Sequence, residues 1–300
     1  MPVLRELSAG SLRPSELEER LPRAAHAALT RRLRDLRTNG VLIRERSSGL
    51  SPQAEYTLSD GGRALMAIPE AAERWARNWS RLDSGRRPAA RLALRLTADE
   101  KTRTILLALA DGPLRPAKLD EQLLQIGRSA ARERVSQLHV AGILKRVELD
   151  GHPCYSLTPS ARRLALIGML AARWERQWAR DRGAADSGDL PGLLRLVAPV
   201  VQIPEPVSGV CQLHIAAEEP GQYVYLVADR GRLAAPQAAS APPKAVGWAP
   251  PEAWYDALLH RRLTGIRTSG DVGLIASVLA SVASTLASDS PDLPPNIKSS

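Results

Sequence analysis

The 300-residue chain has no phenylalanine and only two cysteines, Cys154 and Cys211. Two thiols are too few for a disulfide framework. Neither lies in a CxxC, and no Cys/His cluster has metal-ligand spacing, so the pattern points to a reducing cytosol. The missing Phe, beside an Arg- and Ala-heavy composition, reads as the codon usage of a GC-rich genome and carries no function. No apolar run reaches the roughly 18–20 residues of a membrane span. Met1-Pro2 leads into polar and charged residues rather than the apolar stretch of a secretory leader. The expectation is a cytoplasmic protein with no membrane partner. Catalytic signatures are missing as well. His26, His139, His152, His214 and His260 are scattered, and there is no HExxH, no GxSxG and no Gly-rich phosphate loop. Neither an enzyme nor a cofactor is expected. Glu218-Glu219 falls in a turn and reads as solvated. Cys154, at the foot of a hairpin, is the one candidate reactive thiol, and its alternative is a half-buried strand cysteine.

What the chain does have is 44% apolar residues, enough for packed cores in two or three domains, and a formal net charge of +9. The charge is unevenly placed. Residues 1–90 hold 16 basic and 11 acidic groups, residues 91–190 hold 17 and 12, and residues 191–300 hold 8 and 9. The first two-thirds therefore suit a polyanionic partner, and the last third is a different object.

An internal repeat underlies that division. An offset of 102 superimposes Leu12-Arg13-Pro14 on Leu114-Arg115-Pro116, Leu36 on Leu138, Gly40 on Gly142 and Arg44 on Arg146. Past a hairpin the offset becomes 99, aligning Tyr56-Thr57-Leu58-Ser59 with Tyr155-Ser156-Leu157-Thr158, Trp75 with Trp174 and Trp79 with Trp178. A gap at a hairpin tip is where length differences are tolerated. Each copy predicts a first helix (Val3–Ala9; Thr102–Ala110), a second from Pro14 or Pro116, and a third over His26 to Asn39 or its copy from Arg128. A hairpin (Val41–Leu58; Ile143–Leu157, with an Asp150-Gly151 turn) and a last helix capped by Ser59 or Thr158 follow. That order is a winged helix-turn-helix. Pro69 and Gly168 suggest a kink or late start in the last helix. Its paired tryptophans read as packing residues against another helix, with base or ligand stacking as the alternative.

In the third helix Leu29, Leu33 and Leu36 line one side, so Arg31 and Arg34 point away from it. Such arginines beside a basic hairpin suit a major groove and its flanking phosphates, while the alternative is a solvated basic face on a core helix. The candidate DNA-binding residues are Thr30, Arg31, Arg34, Arg44 and Arg46 in the first copy. In the second they are Arg128, Ser129, Arg132, Lys145 and Arg146. Glu133 stands where the first copy has Arg31, and a carboxylate repels phosphate unless a cytosine amino group donates to it.

Ser84–Ala90 and Asp181–Gly192 read as linkers. Beyond Leu193 the expectation is strands at Val210–Ala216, Gln222–Ala228 and Lys244–Trp248 and a helix from Pro250 through about Arg261. A short strand at Thr264–Ser269 and an apolar helix carrying Leu274, Ile275, Val278, Leu279, Val282 and Leu286 complete it. The fold class is mainly α with small β hairpins, two winged helix-turn-helix domains, plus a C-terminal α+β domain. The domains are 1–86, 91–182 and 193–286, with 287–300 as a disordered tail.

The string ELSAGSLRPSELEERL, the arginine-rich helix ending in Asn39-Gly40, AEYTLSDGGRALM and the Trp-bearing helix resembles the HxlR group of winged-helix regulators. LADGPLRPAKL, HVAGILKR and CYSLTPSARRL look like a more divergent copy. The resemblance implies a DNA-binding transcriptional regulator, homodimeric as a rule, paired through terminal helices. The chain begins inside what would be the first long helix of that group, and the redox-sensing cysteine of some members has no counterpart. The segment from Lys244 to Leu279 is similar to sterol-carrier-protein-like domains. That implies a hydrophobic small-molecule ligand, for which Trp248, Trp254, Leu258, Leu274, Val278 and Val282 are the candidate lining residues. The alternative is that they form an ordinary core.

Together these features predict a regulator whose double-stranded DNA partner is met by an intrachain pseudo-dimer of winged helices, with homodimerisation of chains also open. The two reading helices are expected on successive turns of one duplex, roughly 34 Å apart. A scaffold that does not bind DNA, or a carrier of a hydrophobic small molecule, are the competing readings.

Overall fold

The computed structural model of the chain describes residues 2–21, 26–46, 54–82, 99–178, 190–215 and 222–287. The tip of the first hairpin, the linker Ser84–Ala90, most of Asp181–Gly192, the Glu218-Glu219 turn and the tail after Ala287 lie outside those residues. The order of elements in the first copy is α1 (Pro2–Leu7), α2 (Pro14–Arg20), α3 (His26–Thr38), β1 (Leu42–Arg46), β2 (Ala54–Leu58), α4 (Asp60–Leu65) and α5 (Ala67–Leu82). The second copy has α6 (Glu100–Ala108), α7 (Pro116–Gln122), α8 (Arg128–Val140), β3 (Leu144–Leu149), β4 (His152–Leu157), α9 (Pro159–Arg162) and α10 (Ala165–Trp178). The third helices α3 and α8 are both 13 residues long and stand 102 positions apart throughout.

The two copies share their local devices. Gly40 and Gly142 take φ of 71° and 74°, the left-handed region open to glycine at little cost. The following amide then turns back, Val41 N donating to Leu36 O and Ile143 N to Leu138 O, each at 2.9 Å. Leu12 and Leu114 each bridge the hairpin at Tyr56 or Tyr155, making the wing a three-strand edge. In the second wing Asp150 and Gly151 both have positive φ, 51° and 69°, the pair of left-handed residues that a tight two-residue hairpin needs. Ser59 and Thr158 cap the helices that follow. Each hydroxyl accepts from an amide three residues on, Gly62 N at 2.9 Å and Ala161 N at 3.2 Å, and donates back to the carbonyls that open its hairpin. The last helix starts late: α4 ends at Leu65 and α9 at Arg162, before Pro69 and Gly168 are reached.

The structure divides into two compact units, and the division does not follow the repeat. The first unit holds residues up to Ala71 together with the second copy's chain from Leu170 to Gly188. Its core is Val3, Leu4, Leu7, Leu12, Leu17, Leu29, Leu33, Leu36, Val41, Leu42 and Leu58, with Trp174 packed on it. Each such aliphatic side chain contributes roughly 1.5–3 kcal/mol on burial. Trp174 Nε1 donates to Gly61 O at 2.7 Å, and the Trp178 ring lies 3.0 Å from where a Cβ on Gly61 would stand. The second unit runs from Ala72 to Met169 and from Asp189 onward. In it Trp75, 8% exposed, donates from Nε1 to Ser160 O at 2.8 Å. With the offset of 99, Trp75 matches Trp174 and Ser160 matches Gly61. Each copy's capped helix thus receives an indole from the other copy's last helix.

The C-terminal domain lies wholly in the second unit. It contains α11 (Leu190–Val197), β5 (Gly209–Ile215), β6 (Gln222–Asp229), β7 (Arg232–Ala234), β8 (Ala245–Trp248), α12 (Pro251–His260), β9 (Arg267–Gly270) and α13 (Val272–Ala287). The five strands form one sheet in the order β7-β6-β5-β8-β9, in which only β5 and β8 run parallel. Leu190–Gly192, expected as linker, opens α11 instead. This helix is buried almost all round, with Pro191 in its first turn where a missing amide costs nothing. α11 packs on α6, and Leu193 reaches to within 2.7 Å of the space above Gly168. Arg162, 7% exposed, fixes the junction by donating from Nη1 to Ala110 O at 2.8 Å and Leu196 O at 3.2 Å. Its burial lowers the guanidinium's pKa, partly offset by the charge of Asp111.

Candidate nucleic-acid interface

The apolar side of α3 holds the helix down: Leu29, Leu33 and Leu36 are 2%, 3% and 8% exposed. At 3.6 residues per turn, Arg31, Arg34 and Asp35 then lie on the far side, with Thr30 on the flank beside Arg34. All four are exposed, as are Arg32 and Arg37. None of Arg31, Arg32 and Arg34 is in an ion pair with a described residue, and the helix carries one acidic residue, Asp35. Arg44 is exposed on β1, opposite Tyr56, and Arg46 ends that strand. Thr30, Arg31 and Arg34 on the helix and Arg44 on the wing that follows it are therefore exposed, three of them cationic.

The matching surface of the second copy is chemically different. Ala131, Val135 and Leu138 are the buried positions of α8, and Arg128, Ser129, Arg132, Glu133 and Ser136 are exposed. Arg132 donates from Nε at 3.1 Å and Nη2 at 2.6 Å to the Asp120 carboxylate, which raises its pKa. Arg134 pairs with Asp99 at 3.3 Å, and Gln137 donates to Glu133 at 3.2 Å. Lys145 and Arg146 are exposed on β3, with the Arg146 guanidinium 5.7 Å from the Tyr155 ring centroid. Helical spacing identified the outward arginines; it could not identify Asp120 and Asp99, whose approach depends on how helices pack. Leucine spacing puts Arg31 and Arg34 farthest from the buried side and Arg32 and Arg37 nearer to it, so spacing alone does not single out the latter two.

In the C-terminal domain Trp254, Leu258, Leu274, Val278 and Val282 are brought together, each at most 4% exposed, between the sheet and helices α12 and α13. Trp254 Nε1 donates to His214 O at 3.0 Å, and its ring crosses Gly247, where a Cβ would come within 2.8 Å. Trp248 is not with them. Successive strand residues face opposite ways, so Trp248 points from the other face, where it stacks on His214 at 5.6 Å. Cys154 is 2% exposed in β4. Burial, with the charge of Asp271, pushes the Cys211 thiol up to about 12, which keeps it protonated and unreactive. Among the described residues no group of three or more His, Cys, Asp or Glu could hold a metal, and no helix is long and apolar enough to cross a membrane.

The chain matches the HxlR-like helix-turn-helix family twice, at residues 1–84 and 98–182, together more than half its length. It is similar to an HTH-type transcriptional regulator of Methanothermobacter thermautotrophicus, 36% identical over 75 residues, covering 25% of this chain and 57% of that protein. A Synechocystis regulator of the same description is 34% identical over 82 residues, 27% of this chain and 61% of the relative. A Bacillus subtilis one is 35% identical over 77 residues, 26% and 71%. The chain thus spans about 57% and 61% of the length of the first two relatives. No solved structure matches it.

Proposed function

The chain belongs to the HxlR-like helix-turn-helix family, and on that premise we propose that it is a non-enzymatic transcriptional regulator that reads duplex DNA with α3. The observation that carries this reading is the solvent-open arc of Thr30, Arg31 and Arg34 on a helix pinned by three buried leucines. Arg31 and Arg34 take the groove edges, where a bidentate arginine contributes about 1–3 kcal/mol of discrimination. Arg44 and Arg46 on the wing engage phosphates, as do Arg128, Ser129, Lys145 and Arg146 of the second copy, which sets affinity and salt slope rather than sequence.

The repeats act as an intrachain pair. Support comes from the matched indole bonds, Trp75 to Ser160 and Trp174 to Gly61, by which each copy completes the other's capped helix. One chain, rather than two, is then the binding species, and sedimentation of the protein on a short duplex distinguishes this from a homodimer. The C-terminal domain is proposed to take a hydrophobic small molecule among Trp254, Leu258, Leu274, Val278 and Val282. Its support is the apolar layer between sheet and helices together with the resemblance of Lys244–Leu279 to sterol-carrier-like domains. A fluorescent fatty acid whose emission is unchanged by saturating protein removes that part of the proposal.

The test of DNA reading is genomic recovery of bound duplex, repeated with Arg31 and Arg34 both changed to Ala. Recovery of a common sequence by the wild type and its loss in the double variant is the expected result. Equal recovery by both proteins overturns the assignment to α3.

A further inference from the structure

We infer that sequence reading is confined to the first winged helix, and that the second has given it up to serve as the mount of the C-terminal domain. The inference rests on the proposed reading of DNA by α3 and assigns its asymmetry. Thr30, Arg31, Arg34 and Asp35 on the outer side of α3 match Arg132, Glu133, Ser136 and Gln137 on α8, a formal +1 against zero. The one arginine of the second set is held by Asp120 through two short hydrogen bonds, and the Asp120 side chain is only 21% exposed. To reach a base, Arg132 would have to leave that carboxylate uncompensated beside a phosphate backbone. Glu133, one position on, faces the same polyanion in no ion pair with a described residue and accepts only from the Gln137 amide among them. The next arginine, Arg134, is turned to Asp99 and is 22% exposed. In the first copy the carboxylate at the Asp120 position is Glu18, engaged by His26 at 2.6 Å, and Arg31, Arg32 and Arg34 of α3 are in no ion pair with a described residue.

A second, independent difference lies away from the groove-facing side. At the end of the capped helix both copies have an arginine, Arg63 and Arg162. Arg63, 61% exposed, closes on its own copy, donating to Leu58 O and Asp60. Arg162 is buried and splits its Nη1 between Ala110 O of the winged helix and Leu196 O of α11. Gln237 adds a bond to Asp111 at 3.0 Å, and Gly168 has no side chain where Leu193 packs. The copy that has lost its cationic reading face is the one that carries the extra domain.

The experiment selects duplexes from a random pool with the full chain and counts specified base pairs per bound chain. It then measures affinity of Arg31→Ala, Arg132→Ala and Glu133→Ala on the selected duplex. Expected is one short run of specified base pairs per chain, a loss of about 10- to 100-fold for Arg31→Ala and a change of no more than about threefold for Arg132→Ala. Glu133→Ala should raise affinity for selected and scrambled duplex alike without adding specified positions. All three residues are exposed, so misfolding does not confuse the outcome. If Arg132→Ala loses as much as Arg31→Ala, or two runs per chain are specified, the confinement to one copy is wrong while DNA reading stands. If the wild type selects no sequence and its binding does not weaken with salt, DNA reading itself fails and takes this inference with it.

Discussion

The two winged helices are one backbone carrying two different surfaces. Their third helices have the same length, the same glycine stop and the same returning amide, down to equal 2.9 Å bonds. The core positions beneath shrink from Leu29, Leu33 and Leu36 to Ala131, Val135 and Leu138 without loss of the element. Outward positions change sign or become paired. The difference teaches that the frame is set by a few caps, glycines and buried aliphatics, while the side facing solvent is free to be rewritten. Of the two copies, the first kept a cationic face and the second gained a neighbour.

The matched tryptophans are the strongest point at which the equivalence of the copies can be broken. Trp75→Ala and Trp174→Ala each remove a large packed ring and a hydrogen bond, and each is expected to destabilise the chain by about 3–5 kcal/mol, the half-buried Trp174 toward the lower figure. Denaturant unfolding measures this. The corresponding Phe variants keep most of the packing and leave Gly61 O or Ser160 O without its donor, an expected loss of about 0.5–1.5 kcal/mol. If one Trp can be removed at no cost while the other cannot, the exchange of last helices is not reciprocal.

A smaller effect separates Arg63 from Arg162. Arg162→Met strips two buried carbonyls of their donor but also relieves a desolvated charge, so a net loss of about 1–3 kcal/mol is expected. Arg63→Met, on an exposed side chain, should stay within about 0.5 kcal/mol of wild type. Equal losses would mean that the C-terminal domain is not fastened through Arg162.

These differences were unequally legible in the sequence. The repeat, the leucine stripe, Gly40 and Gly142, the caps Ser59 and Thr158 and the Asp150-Gly151 turn are local, and each appears where periodicity and turn chemistry place it. The C-terminal α+β order was legible for the same reason, although the three-residue β7 is too short to alternate. Leu190–Gly192 reads as linker because its Pro and Gly look like a break, whereas proline in a first turn and glycine beneath a packed neighbour are compatible with a buried helix. That the tryptophans pack was readable; which carbonyls they bond was not, since these lie 85 and 113 residues away. Likewise type and proximity in sequence place Trp248 with Trp254, but strand alternation sends it to the opposite face. On the third helices the charges themselves were visible, including Glu133. The Asp120 partner of Arg132 was not, because the packing angle between α7 and α8 leaves no trace in either helix's spacing.

The finest difference between the copies is at the caps. Ser59 holds its helix with shorter bonds than Thr158, 2.6 Å to Gly40 O and 2.9 Å from Gly62 N against 3.1 Å and 3.2 Å. Removing an N-cap hydroxyl costs typically about 1 kcal/mol, and here each hydroxyl also ties the hairpin to the helix. Ser59→Ala should therefore cost the first copy somewhat more than Thr158→Ala costs the second, by a few tenths of a kcal/mol within a range of about 0.5–2. Amide hydrogen exchange at Gly62 and Ala161 reads the two caps separately, without depending on global unfolding. Faster exchange at Ala161 in the wild type would agree with its longer bond. The reverse order would place the firmer cap on the copy that carries the C-terminal domain, and would mean that docking on α9, rather than hydroxyl geometry, decides how tightly that helix is held.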